Sequence, residues 1–124
     1  MLPRKGDWYV FRRSRDGKEF IFKGVVEVYN GSSRGNAIRG YRFYWRAKQH
    51  SDWTAMESEY YRHDDRETEE QSNVTPLGLA AYSGAEAKVM AIGRQSMPAM
   101  ELLILVELED LFSKTYEVVV TAKI

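Results

Sequence analysis

The residue types of a catalytic triad occur together at His50, Ser51 and Asp52. A triad transfers the serine proton to histidine, and this requires three side chains that converge from separate elements of the fold. Three consecutive residues cannot adopt that geometry. The group therefore does not predict a hydrolase.

Two further groups contain residue types that bind metals. His63, Asp64 and Asp65 offer imidazole and carboxylate ligands for a divalent cation. Glu86 and Lys88 match the acid-x-lysine arrangement with which metal-dependent nucleases hold a cation and stabilise negative charge. The first group lies in an acidic segment that is typical of an exposed loop. The second pattern is common by chance. A nuclease is therefore only a second alternative, and no catalytic residue, metal or cofactor is predicted.

Residues 31–35 are rich in glycine and include Arg34. They lack the Lys-Ser/Thr ending of a phosphate-binding loop, and they lead into a strand instead of a helix. The segment predicts a turn.

Residues 40–48 combine aromatic rings with cations in alternating order. At the strand repeat of two, Tyr41, Phe43 and Trp45 fall on one side and are expected in the core. The other side carries what we call the basic strip: Arg42, Tyr44, Arg46 and Lys48. Tyrosine and arginine are enriched at interface hot spots, so the strip predicts a partner-binding surface. Arg12 and Arg13, on a strand expected nearby, extend it.

These residues depend on the strands that position them. Residues 8–11 and 19–30 predict two strands joined by a hairpin at Asp16 and Gly17, and Gly24 marks a candidate bulge. Together with the strand of the basic strip, they predict a three-stranded antiparallel meander.

The rest of the chain alternates less clearly. Residues 53–61 fit a strand slightly better than a helix, and residues 62–74 predict an acidic polar loop. Thr75 and Pro76 are typical of a helix start, which predicts a helix to about Ile92. Residues 98–112 favour a strand buried on both faces near its centre, with helix as the alternative, and residues 115–124 predict its antiparallel neighbour.

The composition bounds the class of protein. A chain of 124 residues with 44% hydrophobic residues predicts a single domain over residues 1–124. It contains no cysteine, which fits a reducing compartment, and no signal peptide or membrane-length apolar run is visible. We therefore expect a cytoplasmic protein without a membrane partner.

The charges divide unequally along the chain. Residues 1–50 hold 12 basic and 4 acidic residues, a net charge of +8, whereas the remainder holds 6 basic and 14 acidic residues, a net charge of −8. Such asymmetry suggests an electrostatic partner, unless the two halves interleave in the fold and cancel.

The sequence thus predicts an α+β fold, an antiparallel sheet of about five or six strands with one helix packed on it, with an all-β barrel or sandwich as the alternative. It predicts no enzyme. The expected function is a small binding module, of inhibitor or assembly type, that contacts another protein through the basic strip. The partner would have an acidic surface or be a second copy of the chain, and a nucleic-acid-binding sheet is the alternative.

Overall fold

The computed structural model describes residues 2–4, 8–12, 18–47, 52–58, 72–95 and 101–123. These residues form nine strands and no helix. The strands are β1 (Leu2–Arg4), β2 (Trp8–Arg12), β3 (Phe20–Asn30), β4 (Asn36–Arg46), β5 (Thr54–Ala55), β6 (Leu77–Leu79), β7 (Ser83–Gly93), β8 (Glu101–Asp110) and β9 (Thr115–Lys123).

The strands form two antiparallel sheets. In sheet A, β3 pairs with β7 along one edge and with β1 and β2 along the other. In sheet B, β4 pairs with β8 along one edge and with β5 and β6 along the other, and β8 pairs with β9. The sheets are joined where Glu57, just after β5, exchanges two backbone hydrogen bonds of 2.9 and 2.8 Å with Ile92 of β7.

The two sheets enclose one hydrophobic core. The ring of Phe22 in β3 lies 6.4 Å from that of Phe43 in β4, and Phe20 meets Trp45 edge to face at 6.0 Å. The inward residues of β8 are fully buried: Leu102, Ile104, Val106 and Leu108. Alternation along the long strands therefore gives each of them a core face, as the sequence predicts for β3, β4 and β9. On the opposite face of sheet A, Ile21, Met90 and Ile92 form a second, smaller buried cluster.

The predicted helix after Thr75 is wrong, and with it the α+β class. The same residues form β6 and β7, and the fold is all-β across the described residues, which was the alternative. In β7 the small residues Ala87 and Ala91 lie opposite Val26 and Phe22 of β3. Pairing over the full length of β3 buries this alternating face, and such tertiary contacts outweigh the helix propensity of alanine.

The predicted three-stranded meander is also wrong. Strands β2 and β3 form the expected hairpin pair, but β4 crosses into sheet B and the neighbour of β3 is β7. The pairing of β3 with β7 runs through Gly24 without a shift, so the described pairs of these two strands contain no bulge there. Within the described pairs of β4 and β8, a register shift lies between Ile38 and Gly40 of β4.

For residues 53–61 and 98–112 the sequence leaves both strand and helix open. The described parts of both segments contain a strand and no helix. Residues 101–110 form β8, and residues 54–55 form the short β5.

The predicted acidic loop lies mostly outside the described residues. At its end, Asn73 exchanges side-chain hydrogen bonds of 2.8 and 3.1 Å with the backbone of Met90. Tyr41 donates a hydrogen bond to the carbonyl of Val74, and burial raises the pKa of this tyrosine to about 12.

In the part of the chain that the structure describes, no helix is long and apolar enough to cross a lipid bilayer.

Candidate functional site

The outer face of sheet B, the face turned away from the core, carries the three described residues of the basic strip: Arg42, Tyr44 and Arg46. Cross-strand pairing places Tyr44 of β4 beside Leu105 of β8, and Leu105 beside Val119 of β9. Paired residues in adjacent strands share a face, so these three side chains form an apolar row across the sheet. Leu103 lies next to Leu105 on the same face, two residues along β8.

This apolar row is accessible to solvent. Tyr44, Leu103 and Leu105 are half-buried, and Val119 is 43% exposed. The sequence predicts that β8 is a central strand buried on both faces near its middle. It is central, between β4 and β9, but its outer side chains are only half-buried.

Arg42, the first cation of the basic strip, is neutralised within the chain. Its Nε lies 2.9 Å from Glu107 Oε1, and its second terminal nitrogen lies 3.1 Å from Glu109 Oε1. Glu109 also accepts a hydrogen bond of 2.8 Å from Arg39. Glu107 is the direct cross-strand partner of Arg42, so the antiparallel register of β4 and β8 dictates this pair.

Arg46 has a different environment. Its guanidinium lies 4.3 Å from the centre of the Trp53 ring, a cation–π contact, and among the described residues no carboxylate is paired with it. Its Nε is buried and has no hydrogen-bond partner. Of the two described cations of the basic strip, Arg42 is therefore paired with carboxylates and Arg46 is not.

The other three predicted partner-binding residues are not among the described residues of this face. Arg12 lies in β2 of sheet A, opposite Phe20 of β3, and therefore belongs to the other sheet. Arg13 and Lys48 lie outside the described residues. Of the six predicted residues, the structure thus brings Arg42, Tyr44 and Arg46 together on one face.

The two oppositely charged halves of the sequence meet in the fold. The pairs of Arg39 with Glu109 and of Arg42 with Glu107 each join residues from different halves, as does the pair of Arg94 with Glu19. Arg94 also donates a hydrogen bond of 2.7 Å to Glu57, which lowers the pKa of that carboxyl. The pairs of Arg39 and Arg42 with acids of the second half therefore offset part of the charge asymmetry, whereas the pair of Arg94 with Glu19 does not.

A second group of polar residues, which the sequence did not reveal, surrounds Asp110 at the end of β8. This buried carboxylate accepts hydrogen bonds from Asn36, Tyr116 and the backbone of Phe112 and Lys114, at 2.8 to 3.1 Å. Burial alone would raise the pKa of Asp110, but the four donors outweigh it and lower the pKa. Burial and the bond to Asp110 raise the pKa of Tyr116.

Asn30 has a corresponding role at the end of β3. Its buried side chain donates to the carbonyls of Arg34, Leu79 and Ala80 and accepts from the backbone of Ser32. The side chains of Asn30 and Asp110 thus fix the loops that follow β3, β6 and β8. These residues come from distant parts of the sequence, and no local pattern signals their meeting.

The residues that the sequence offers for metal or acid–base chemistry do not come together in the described part of the chain. Residues 59–71, with His63, Asp64 and Asp65, lie outside the described part, and so do His50 and Ser51. Glu86 and Lys88 are both exposed in β7, and Glu86 lies opposite Glu27 of β3. Within the described residues, no group of three or more metal-ligating side chains occurs.

The sequence matches no protein-family model and no curated protein.

Proposed function

We propose that the chain is a non-catalytic module for protein–protein interaction that acts through the outer face of sheet B. The apolar row of Tyr44, Leu105 and Val119 carries this proposal. It crosses β4, β8 and β9 near the middle of their lengths and is bordered by the charged pair of Arg42 and Glu107. An apolar centre with a polar rim is the usual anatomy of a protein interface.

The charges of this face favour a partner of mixed charge over an acidic one. Arg42 already has two carboxylate partners within the chain, and Glu117 lies on the same face beside Glu107. A nucleic acid would meet these carboxylates next to its phosphates, and repulsion would offset the attraction of Arg46. The nucleic-acid alternative is therefore disfavoured.

A second copy of the chain fits the arrangement of this face. Arg46 and Glu117 lie at opposite corners of a grid centred on Leu105, one strand and two residues away from it in opposite directions. A twofold axis in the plane of the interface, passing through Leu105 and perpendicular to that diagonal, places each Arg46 over Glu117 of the other copy. Closed twofold pairing of this type is the commonest form of self-association.

The same axis places Leu105 and Val119 near apolar residues of the other copy and brings Tyr44 close to its Glu107. Leu105 then lies on its own counterpart, and Val119 comes close to Leu103 of the other copy, given a strand spacing of about 4.8 Å and about 6.7 Å per two residues. The strands of the two copies cross at about 70°, closer to orthogonal than to aligned sheet packing. We therefore propose an assembly-type module that pairs with itself, in the cytosol.

Sedimentation velocity over a range of concentrations tests the proposal. We expect the wild type to form dimers, and Leu105→Glu to abolish them because it places two carboxylates at the centre of the interface. Leu111→Glu is the matched control, since Leu111 is 49% exposed in the β8–β9 turn and lies off this face. A wild type that stays monomeric at about 500 µM would contradict pairing with a second copy.

A charge exchange tests the orientation. Arg46→Glu and Glu117→Arg should each weaken the dimer about tenfold, and the double variant should restore most of the affinity because the pair is re-formed with reversed signs. Thermal unfolding checks that each variant is folded. Single variants that leave the dimer unchanged would exclude this twofold arrangement.

A further inference from the structure

The polar group around Asp110 opens into a cleft at one end of the sandwich, which we call the loop-end cleft. Its volume is about 530 Å³, and the loops after β3 and β8 form its walls. Clefts of about 300–1,000 Å³ are typical of sites for small molecules.

The framework of the cleft is fixed before any ligand binds. Asn30 and Asp110 are 2% and 1% exposed, and each makes four hydrogen bonds to the surrounding loops. The carboxylate of Asp110 is therefore occupied by donors of the protein itself. A largely preformed framework reduces the entropy that a ligand loses on binding.

Two cations line this cleft without an acidic partner. The guanidinium of Arg34 lies 4.5 Å from the centre of the Phe112 ring, and Lys114 is exposed in the β8–β9 connection. Neither residue forms an ion pair within the described part of the chain, whereas Arg39, Arg42 and Arg94 each do. The ring contact fixes the position of the Arg34 guanidinium but does not compensate its charge.

Further donors and an apolar surface accompany these cations. The hydroxyl of Ser32 accepts a hydrogen bond from the backbone of Arg34 and retains its own proton for donation. The Phe112 ring is half-exposed at the same cleft. Arginine presents a planar set of N–H donors that matches the oxygens of a carboxylate or phosphate, and lysine adds a second positive charge.

We propose that the loop-end cleft binds the anionic group, a carboxylate or a phosphate, of a small-molecule ligand. Arg34 and Lys114 bind the anion, Ser32 donates a hydrogen bond to it, and Phe112 contacts the apolar part of the ligand. The site is separate from the outer face of sheet B and does not depend on self-association.

Amide chemical shifts measured by NMR at constant ionic strength test this site, with inorganic phosphate and acetate as separate probes. We expect saturable shifts at Ser32, Arg34 and Lys114, with a dissociation constant of about 10 mM or lower for at least one probe. Saturation by phosphate alone identifies a phosphate site, and saturation by acetate alone identifies a carboxylate site. Shifts that increase linearly with both probes would overturn the proposal.

Variants distinguish the site from general charge attraction. Arg34→Gln and Lys114→Gln should each weaken binding about fivefold or more. Arg94→Gln is the matched control, since it removes the same charge from an arginine that already contacts Glu19 and Glu57. The same measurement on Leu105→Glu separates the two proposals, because that variant should bind the probe normally. Equal weakening by Arg94→Gln would overturn the assignment.

Discussion

Gly93, the last residue of β7, lies directly beneath the ring of Phe20. A Cβ atom added to Gly93 would lie 2.2 Å from two atoms of that ring. Phe20 is fully buried and packs edge to face on Trp45, so its ring has little room to move away. The absence of a side chain at Gly93 is therefore a packing requirement.

Substitution of Gly93 by alanine should consequently destabilise the protein. We expect Gly93→Ala to lower the free energy of unfolding, measured with urea, by about 1–3 kcal/mol through overpacking. Gly78→Ala is the control, since no heavy atom lies within 4 Å of a Cβ at that exposed position. Equal effects of the two substitutions would contradict this explanation.

Asp110 makes stability depend on pH in a defined direction. Its hydrogen bonds lower its pKa in the folded state, so its contribution is fully present above the unfolded value of about 3.9 and is lost as the pH falls through the folded value. Asp110→Asn removes this dependence. The difference in unfolding free energy between wild type and Asp110→Asn should therefore shrink below about pH 4. A difference that is constant from pH 7 to pH 3 would contradict this role.

At the scale of elements, the sequence predicts strands wherever alternation is strong. Each of β3, β4, β8 and β9 has one face of large apolar side chains, a pattern that favours a strand with that face in the core, although the residue types of β8 leave a helix as the alternative. In β7 the corresponding face carries Ala85, Ala87 and Ala91, whose small size is equally compatible with a helix. Its long pairing with β3 decides the structure, and local sequence does not encode that pairing.

The two candidate sites, the outer face of sheet B and the loop-end cleft, also differ in how much of each the sequence predicts. The basic strip is visible in the sequence because its residues are neighbours on one strand. Leu105 and Val119 complete its face only through the register of β4, β8 and β9. Arg34 and Lys114 are 80 residues apart and meet only because the loops after β3 and β8 lie at the same end of the fold.

The register of β4 and β8 also leads to a prediction about Arg42. Arg42→Glu places a carboxylate opposite Glu107 and should lower the unfolding free energy by about 1 kcal/mol, because like charges across a sheet repel and the original pair is lost. The double variant R42E/E107R should recover most of that loss. Thermal and urea unfolding measure both effects, and Glu107→Gln, which removes attraction without adding repulsion, should cost less. A double variant no more stable than R42E would show that this pair does not contribute.

At the scale of the whole molecule, the two sheets depend on each other for burial. Neither sheet can cover its inner aromatic residues alone, since Phe22 of sheet A packs against Phe43 of sheet B. An ion pair also links the two sheets, because Arg94, which follows β7 of sheet A, pairs with Glu57, which follows β5 of sheet B. We therefore expect the single domain predicted from composition to unfold as one cooperative unit.

Phe43→Ala tests this dependence, because Phe43 belongs to sheet B but its ring contacts sheet A. The substitution removes a side chain that is 1% exposed and should cost about 3–5 kcal/mol. Native-state hydrogen exchange should then show loss of protection in β3 of sheet A as well as in β8 of sheet B, since global unfolding exposes both. Tyr29→Ala, which removes an aromatic ring that is 44% exposed, is the control and should change protection little. Loss of protection confined to β4, β8 and β9 would mean that sheet B opens independently, and the shared core would not then make the two sheets one folding unit.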